Sequence, residues 1–370
     1  MKILILNTFK EWGGGEWWTV ILGKGLKSMG HHVVIACPTG TETEKNARRA
    51  GLEVFQFDIG PDVAFWKIPP MMRYLKKHRI DVMLCNQNRD VKIGALAGRL
   101  ANTPAIFARQ GLDIMRKKWS HKIPFTKFID GIITNTNALK ELYMSYGWFD
   151  QGFIHAVHDG IEIPEEVAFL NLHDRYDLPE QSKVIVSAGR LMPQKGFDLL
   201  VKVAGMAKDK RMPWRFLVAG TGKSEDDLKK LASSMGVDDY IRFIGFQSDV
   251  LPLMKSADLF VLSSRSESMS NVLREAMVVR TACVATDVQG VNELIEDGIS
   301  GLIVESGKAE SIYLGIEKVL SDPELQNKLA ENGHDRVKTA FDLDRMTKKI
   351  AEIFQAELLR KKTQKVGDHS

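Results

Sequence analysis

Short apolar runs alternate with amphipathic stretches along almost the whole chain. KILILN (2–7), HVVIACP (32–38), EVFQFDI (53–59), DVMLCN (81–86), AIFARQ (105–110), GIITNT (131–136) and FIHAVHDGI (153–161) are rich in aliphatic and aromatic residues. Continuous apolar runs of this kind predict strands buried on both faces. Between them a GGGE loop leads to a helix through Gly30, a second helix begins near Thr41, and further helices cover 69–79 and 90–101. Strands separated by helices at this spacing predict a parallel sheet covered on both sides.

The pattern restarts in the second half. The polar segment LNLHDRYDLPEQSK (170–183) reads as a linker. KVIVSAGR (183–190), WRFLVAG (214–220), IRFIGF (241–246), DLFVLSS (258–264), ACVATD (282–287) and GLIVES (301–306) follow as strands. Helices are predicted at 197–210, 224–235, 249–257, 271–279, 290–296, 308–320, 323–339 and 342–360, and the polar residues 362–370 as a disordered tail. The expected fold is α/β, two doubly wound domains in tandem over 1–170 and 171–340. Ligands are expected at the carboxyl ends of the strands and in the cleft between the domains.

Composition changes this picture little. The 370 residues, 44% hydrophobic and 26% charged, suffice for two cores. Cys37, Cys85 and Cys283 form no CxxC or metal-like spacing, so free thiols in a reducing cytosol are expected. MKILILNTFK is too short an apolar run for a signal peptide, and no stretch reaches the ~18 apolar residues of a membrane span. The net charge of +4 is too small to argue nucleic-acid binding. Its distribution is uneven: residues 1–172 hold 22 Lys+Arg against 17 Asp+Glu (+5), and the remainder 29 against 30 (−1). Much of the excess lies in 109–128, where bases are interleaved with Trp119, Ile123, Phe125 and Phe128. That mixture suits an anionic membrane surface or an acidic acceptor, and equally a solvated helix whose aromatics face the core.

Candidate chemistry gathers at strand ends in the second half. In SSRSESMSNVLREAM a polar loop opens directly into a helix, whose terminus offers unpaired N–H groups to an anion. Glu267 on the loop and Glu275, eight positions and about two turns on, can bracket a ligand rich in hydroxyls. In GRLMPQKGFDLL (189–200), Gly189 lets backbone approach a ligand, and Arg190 and Lys195 are spaced to place two cations on one anion. An exposed loop with idle bases is the bland alternative. VAGTGKSEDDL (218–228) fails as a phosphate-binding P-loop because Leu217 stands where the motif needs glycine. Gly220 and Gly222 are expected in a turn beside the same ligand, with Ser224 capping a helix whose first turn is acidic. GGGE (13–16) is not G-x-G-x-x-G, and the second strand ends in Pro38-Thr39 without a ribose-binding acid, so a nicotinamide site is not expected. Gly13 to Gly15 suit a phosphate contact, an acceptor's entry, or a tight turn alone. No histidine lies in a metal pattern; His158 in VHDGIE stands at a strand end.

Taken together, the GGxE loop, TNTNALKELY (134–143), HDGIE (158–162), GRLMPQKG (189–196), VAGTG (218–222), FIGF (243–246), ADLFVLSSRSESMSNVLREAM (257–277) and TDVQGVNELIEDGISGLIV (286–304) resemble the retaining glycosyltransferases of family 4. The resemblance covers nearly the whole chain. It implies the GT-B fold, two Rossmann-like domains facing across a cleft, with an acceptor domain first, a donor domain second, and a helix over 341–361 crossing back to the first. It implies that Arg190 and Lys195 bind the donor diphosphate and that Glu267 accepts hydrogen bonds from the donor sugar. Met269, Ser270, Asn271 and Val272 then present backbone to sugar and phosphate, Glu275 holds the ribose, and Phe246 lies near the base. Gly14, Gly15, Gly189, Gly220 and Gly222 complete the implied donor site. No cofactor and no metal are expected, because Arg, Lys and a helix end supply the charge that meets the leaving phosphate.

One departure stands out. Many members of that family carry a histidine near the end of the strand matching AIFARQ, where this chain reads Phe107-Ala108-Arg109-Gln110-Gly111. Glu16, Arg109, Gln110 and Asp113 are the acceptor-side candidates, and no general base is assigned. Trp17-Trp18 suits either acceptor stacking or the core, with core favoured for at least one. The implied activity is transfer of a sugar from a nucleoside diphosphate to a glycan or lipid-linked acceptor of the cell envelope. The expected setting is the cytoplasm, with peripheral contact on the anionic inner membrane face. A nucleotide-sugar 2-epimerase of the same fold and a non-catalytic nucleotide-sugar-binding subunit are the alternatives.

Overall fold

The computed structural model describes residues 1–60, 64–112 and 114–367. The chain forms two compact units, one of residues 1–160 with 343–370 and one of 161–342. In the first unit seven strands are β1 (Lys2–Leu6), β2 (His32–Cys37), β3 (Glu53–Gln56), β4 (Val82–Cys85), β5 (Ala105–Gln110), β6 (Gly131–Thr134) and β7 (Ile154–Ala156). They pair in parallel in the order β3-β2-β1-β4-β5-β6-β7. Alternate residues of one strand feed opposite faces: Leu4 and Leu6 join a core with Met83, Ile106 and Phe125, while Ile3 and Ile5 join one with Trp18, Leu84 and Phe107. The predicted strands are observed but shorter, because their polar ends turn into loops. The GGGE segment also differs: its last three residues already lie in the helix Gly14–Ser28.

The final helix, Leu343–Gly367, belongs to this unit. Met346, Ile350 and Phe354 are buried in the second of these cores, with the Phe354 ring 5.0 Å from that of Phe107. Burying one such side chain is worth about 2–3 kcal/mol. The helix runs through Gly367, into the span 362–370 expected as a disordered tail; 368–370 lie outside the described residues. Lys361 Nζ lies 2.7 Å from Asp130 Oδ1, and Arg360 pairs with Glu357 at 2.7 Å, so polar residues are used to extend it.

The second unit holds β8 (Lys183–Ala188), β9 (Trp214–Ala219), β10 (Ile241–Phe243), β11 (Leu259–Leu262), β12 (Cys283–Thr286) and β13 (Leu302–Val304). Their order is β10-β9-β8-β11-β12-β13, again parallel. The segment expected as a linker is part of this unit. It carries the short helix Leu172–Arg175 and sends Leu172 and Leu178 into the core with Val184, Leu217 and Phe260. Both sheets reverse their strand order beside the first strand of the unit, between β1 and β4 and between β8 and β11, which opens a crevice at the carboxyl ends there. All three cysteines are buried and free. Among the described residues no helix is long and apolar enough to cross a membrane.

Candidate functional site

β8 and β11 are hydrogen-bonded neighbours, so the loops that leave their carboxyl ends run side by side. Backbone and side chains stitch them together. Ser263 Oγ donates to Lys195 O at 3.0 Å, Arg265 N to Gln194 O at 2.8 Å, and Gln194 Nε2 to Ser266 O at 2.9 Å. Arg265 also donates to Pro193 O at 2.9 Å and forks onto Asp198 at 2.6 and 2.7 Å, which holds the Asp198 carboxyl below its ordinary range. Gly196 is the tight point: its φ of +66° is left-handed, and a Cβ there would strike the carbonyl of Ser263.

This framework brings Lys195 and Glu267 into contact across 72 positions of sequence, with Nζ 2.5 Å from Oε1. Ser264 Oγ donates to the same oxygen at 2.7 Å. Glu267 is only 9% exposed, and among the described residues its Oε2 accepts no hydrogen bond. Arg190 is exposed and makes no ion pair among the described residues. The ends of these two neighbouring strands therefore offer one guanidinium without an ion pair among the described residues, one shared ammonium and one half-satisfied carboxylate.

The predicted glycine turn is there, with a packing role visible. Gly220, at φ +133°, faces the carbonyl of Gly189, and a Cβ would collide with it. Gly222 is pressed in the same way against the backbone of Leu191. Gly189 N donates to Ala219 O and Leu191 N to Thr221 O, both at 2.9 Å, so the ends of β8 and β9 travel together. Ser224 stands at the cap position before the acidic first turn Glu225, Asp226 and Asp227, but its side chain makes no cap hydrogen bond.

Helix Asn271–Val278 follows the β11 loop, capped by Ser270 Oγ, which accepts from Leu273 N at 3.4 Å. Met269 and Ser270 are buried, Asn271 and Val272 half-buried. Glu275 is the fifth residue of the helix, one turn in rather than two, because the segment before Asn271 is loop. Half-buried, it has its carboxyl pushed up by loss of water; Asp249 adds to this and Arg274 opposes it. Arg274 was not foreseen as part of the site. It is 1% exposed and donates to Asn271 Oδ1. The clue was its spacing: it shares the helix stripe of Leu273 and Met277, both buried. Phe246, just past β10, is 74% exposed.

The first unit's strand ends hold a different cluster. Arg109, on β5, is 6% exposed and donates from Nη2 to both Asp159 oxygens at 3.2 Å. Its guanidinium stacks 4.2 Å from the Trp18 ring, and Asn135 donates to Asp159 at 3.2 Å. Gly15 and Gly111 border that guanidinium, and Asn86 Nδ2 donates to Gly15 O at 3.4 Å. Glu16 is buried and accepts from Asn7 at 3.2 Å; burial raises its carboxyl, opposed by that bond and by Arg109. Gln110 is fully buried and donates to Arg109 O at 3.0 Å. Glu16, Arg109 and Gln110 are thus brought together but enclosed, Trp18 is core while Trp17 is half-buried, and Asp113 lies outside the described residues. Asp90 completes the cluster: fully buried, it accepts from Thr8 Oγ1 at 2.5 Å and Gln87 N at 2.9 Å, and burial lifts its pKa to about 7.

Comparison with known proteins adds the following. Residues 169–336 match the family model of Glycosyl transferases group 1, and residues 12–164 that of Glycosyltransferase Family 4. The chain is 30% identical over 354 residues to the putative glycosyltransferase EpsD of Bacillus subtilis (strain 168), covering 90% of this chain and 91% of that protein. It is 30% identical over 237 residues to the lipopolysaccharide core biosynthesis glycosyltransferase LpsE of Rhizobium meliloti (strain 1021), covering 64% and 67%. Anabaena Alr3699/HepE, crystallised in complex with UDP, shares the fold with a TM-score of 0.85 at 19% identity, over 96% of this chain and 100% of that one.

Proposed function

This chain belongs to the family 4 type of GT-B glycosyltransferases, and from that premise we propose that it transfers a sugar, with retention, from a nucleoside diphosphate to an envelope glycan or lipid-linked acceptor. The observation that carries the reading is the Lys195–Glu267 pair beside exposed Arg190 at the end of β8 and β11. Glu267 keeps Oε2 for a sugar hydroxyl. The Lys195 ammonium uses one N–H on Glu267 and retains two for phosphate oxygens. Arg190 supplies a fork for the same diphosphate, so positive charge meets the charge that develops on the departing phosphate. Glu275 holds the ribose, Met269 to Val272 offer backbone at the helix end, and Phe246 supplies an exposed ring for the base. No metal is assigned to this chemistry. LpsE is named for lipopolysaccharide core biosynthesis, which supports an envelope acceptor, and the basic balance of residues 1–172 supports one held at an anionic membrane.

The buried groups of the first unit position rather than touch the acceptor. Arg109 ties together the ends of β5, β6 and β7 through Asp159 and Asn135.

Incubation with a panel of nucleotide-sugars, beginning with UDP-sugars because HepE binds UDP, tests the reading. Slow nucleotide release is expected with one donor, undiminished by a chelator, and proton NMR of the product is expected to keep the donor's anomeric configuration. Absence of both binding and release with every donor rejects the proposal. Conversion of the nucleotide-sugar without release identifies an epimerase instead.

A further inference from the structure

We propose that the first unit docks on an anionic lipid bilayer through one surface built from residues 64–67, 112 and 114–127. This extends the acceptor reading but rests on the surface alone. The basic segment is divided in two by the fold. Met115 and Phe125 are buried in the core, where they anchor it. Leu112, Trp119 and Ile123 are exposed, Trp119 to 77%. Trp119 and Ile123 stand at i and i+4 of the helix Trp119–Ile123 and so share a face. Around them Arg116, Lys117, Lys118, Lys122 and Lys127 are all exposed, while Asp113 is the one acid in the sequence of 112–127.

A second exposed pair stands on a segment tied to this one. Phe65 and Trp66, the latter 63% exposed, lie in the turn Phe65–Lys67. Adjacent residues connect the two segments: Asn88 donates to Ile114 O at 2.9 Å and Arg89 to Gly60 O at 3.3 Å. Ile59, Ala64, Ile68, Met115 and Phe125 share one core cluster beneath. The apolar groups are held out by a fixed backbone. Tyr143 and Tyr146 donate to the carbonyls of Leu112 and Met115 at 3.0 and 2.9 Å, and Arg116 N donates to His121 Nδ1 at 2.9 Å.

Five large apolar side chains exposed on two linked segments mark a contact surface. The excess of positive charge along it selects an anionic partner, and the aliphatic and indole groups select an interface with an apolar interior. A lipid leaflet with anionic headgroups satisfies both demands. A polyanion without acyl chains meets only the first.

The test uses the full chain with vesicles of phosphatidylcholine alone or mixed with phosphatidylglycerol. Sedimentation is expected with the mixed vesicles only, falling at least tenfold between about 50 and 500 mM salt. Bromine-labelled acyl chains should quench tryptophan fluorescence, and W66F/W119F should remove that quenching. K117E/K118E should weaken partition at least ~25-fold, about fivefold for each base lost. W119S/I123S should release the protein while nucleotide affinity and thermal unfolding stay as in the parent. Equal sedimentation with neutral vesicles, none with mixed ones, or unchanged binding by the variants would overturn the proposal. Tight binding to polyglutamate without acyl-chain quenching would assign the surface to an acidic protein instead. Because nucleotide binding is measured on the same preparation, failure of the donor reading and failure of this one are told apart.

Discussion

In the second unit Arg190 is exposed and Lys195 half-buried, whereas in the first Arg109 is enclosed between Asp159 and the Trp18 ring. Both sets of charges sit at the carboxyl ends of parallel strands next to a reversal of strand order. The difference lies in what neutralises them. Arg109 is ion-paired with Asp159 and stacked on Trp18, so its charge is neutralised from within, although its buried Nε makes no hydrogen bond among the described residues. Among the described residues Arg190 has no counter-ion, and Glu267 keeps one oxygen open. One unit uses its charge to hold loops in place, and the other keeps it available. The same glycine chemistry serves both units. Gly196 and Gly220 let loops close on each other, and Gly111 leaves room for a guanidinium.

The largest effect expected from this contrast is on stability. Asp159→Ala leaves Arg109 buried without its carboxylate, which costs about 3–5 kcal/mol. Thermal unfolding should drop by roughly 10 °C for a unit of this size, with nucleotide affinity unchanged in the protein that remains folded. Unchanged melting with lost affinity would show that the first unit's charges bind the ligand after all.

Lys195→Ala should show first in turnover. Turnover should fall by about 10²–10³, as for removal of one preorganised group facing developing charge, and the melting temperature should fall as well because buried Glu267 loses its counter-ion. The decisive reading is the ratio of kcat to KM loss. A change in KM alone would mean that Lys195 binds donor and transition state equally well.

Asp90 extends the contrast to pH. Its carboxyl is ordinary in the unfolded chain and raised to about 7 in the fold, chiefly by desolvation. The folded state therefore holds more protons between those values. Stability is fully present below about pH 4 and is lost as pH climbs toward 7, by at most about 1.4 kcal/mol per unit. Asp90→Asn removes this dependence, so its stability relative to the parent should grow by about 2 kcal/mol between pH 5 and 7, read from urea midpoints. Glu16, raised by burial, adds to the parent's slope with the same sign.

Much of the fold could be read from the chain because each strand is a continuous apolar run and each sheet is covered on both faces. Polar context misled at the edges. Leu172 and Leu178 enter the core from a segment that otherwise looks like a linker. The last helix continues past Lys361, which meets Asp130, a partner distant in sequence. At the site, residue type and strand-end position pointed to Arg190, Lys195, Glu267 and Glu275. Pairing did not show, since Lys195 and Glu267 are 72 positions apart and Arg109 and Asp159 are 50 apart. Arg274 was hidden for a simpler reason: a charged letter in a helix suggests solvent, although its stripe is the buried one.

Glu275 gives the smallest and most specific expectation. Its carboxyl is raised by burial, so it takes up a proton at a higher pH than an exposed glutamate. A ribose held by two hydroxyl donors needs the ionised form, which alone accepts on both oxygens. Donor affinity should therefore weaken as pH falls, beginning above the ordinary glutamate range. Glu275→Gln should bind about tenfold more weakly at neutral pH, the loss of one charge-assisted hydrogen bond, and show a flatter pH profile. Titration calorimetry of the nucleotide at several pH values checks both features. Affinity equal to the parent at every pH would remove Glu275 from the donor site, and with it the second arm of the bracket around the diphosphate. A weakened but equally pH-dependent variant would show that another group titrates, leaving the contrast between open and closed charge in the two units to rest on Arg190, Lys195 and Glu267.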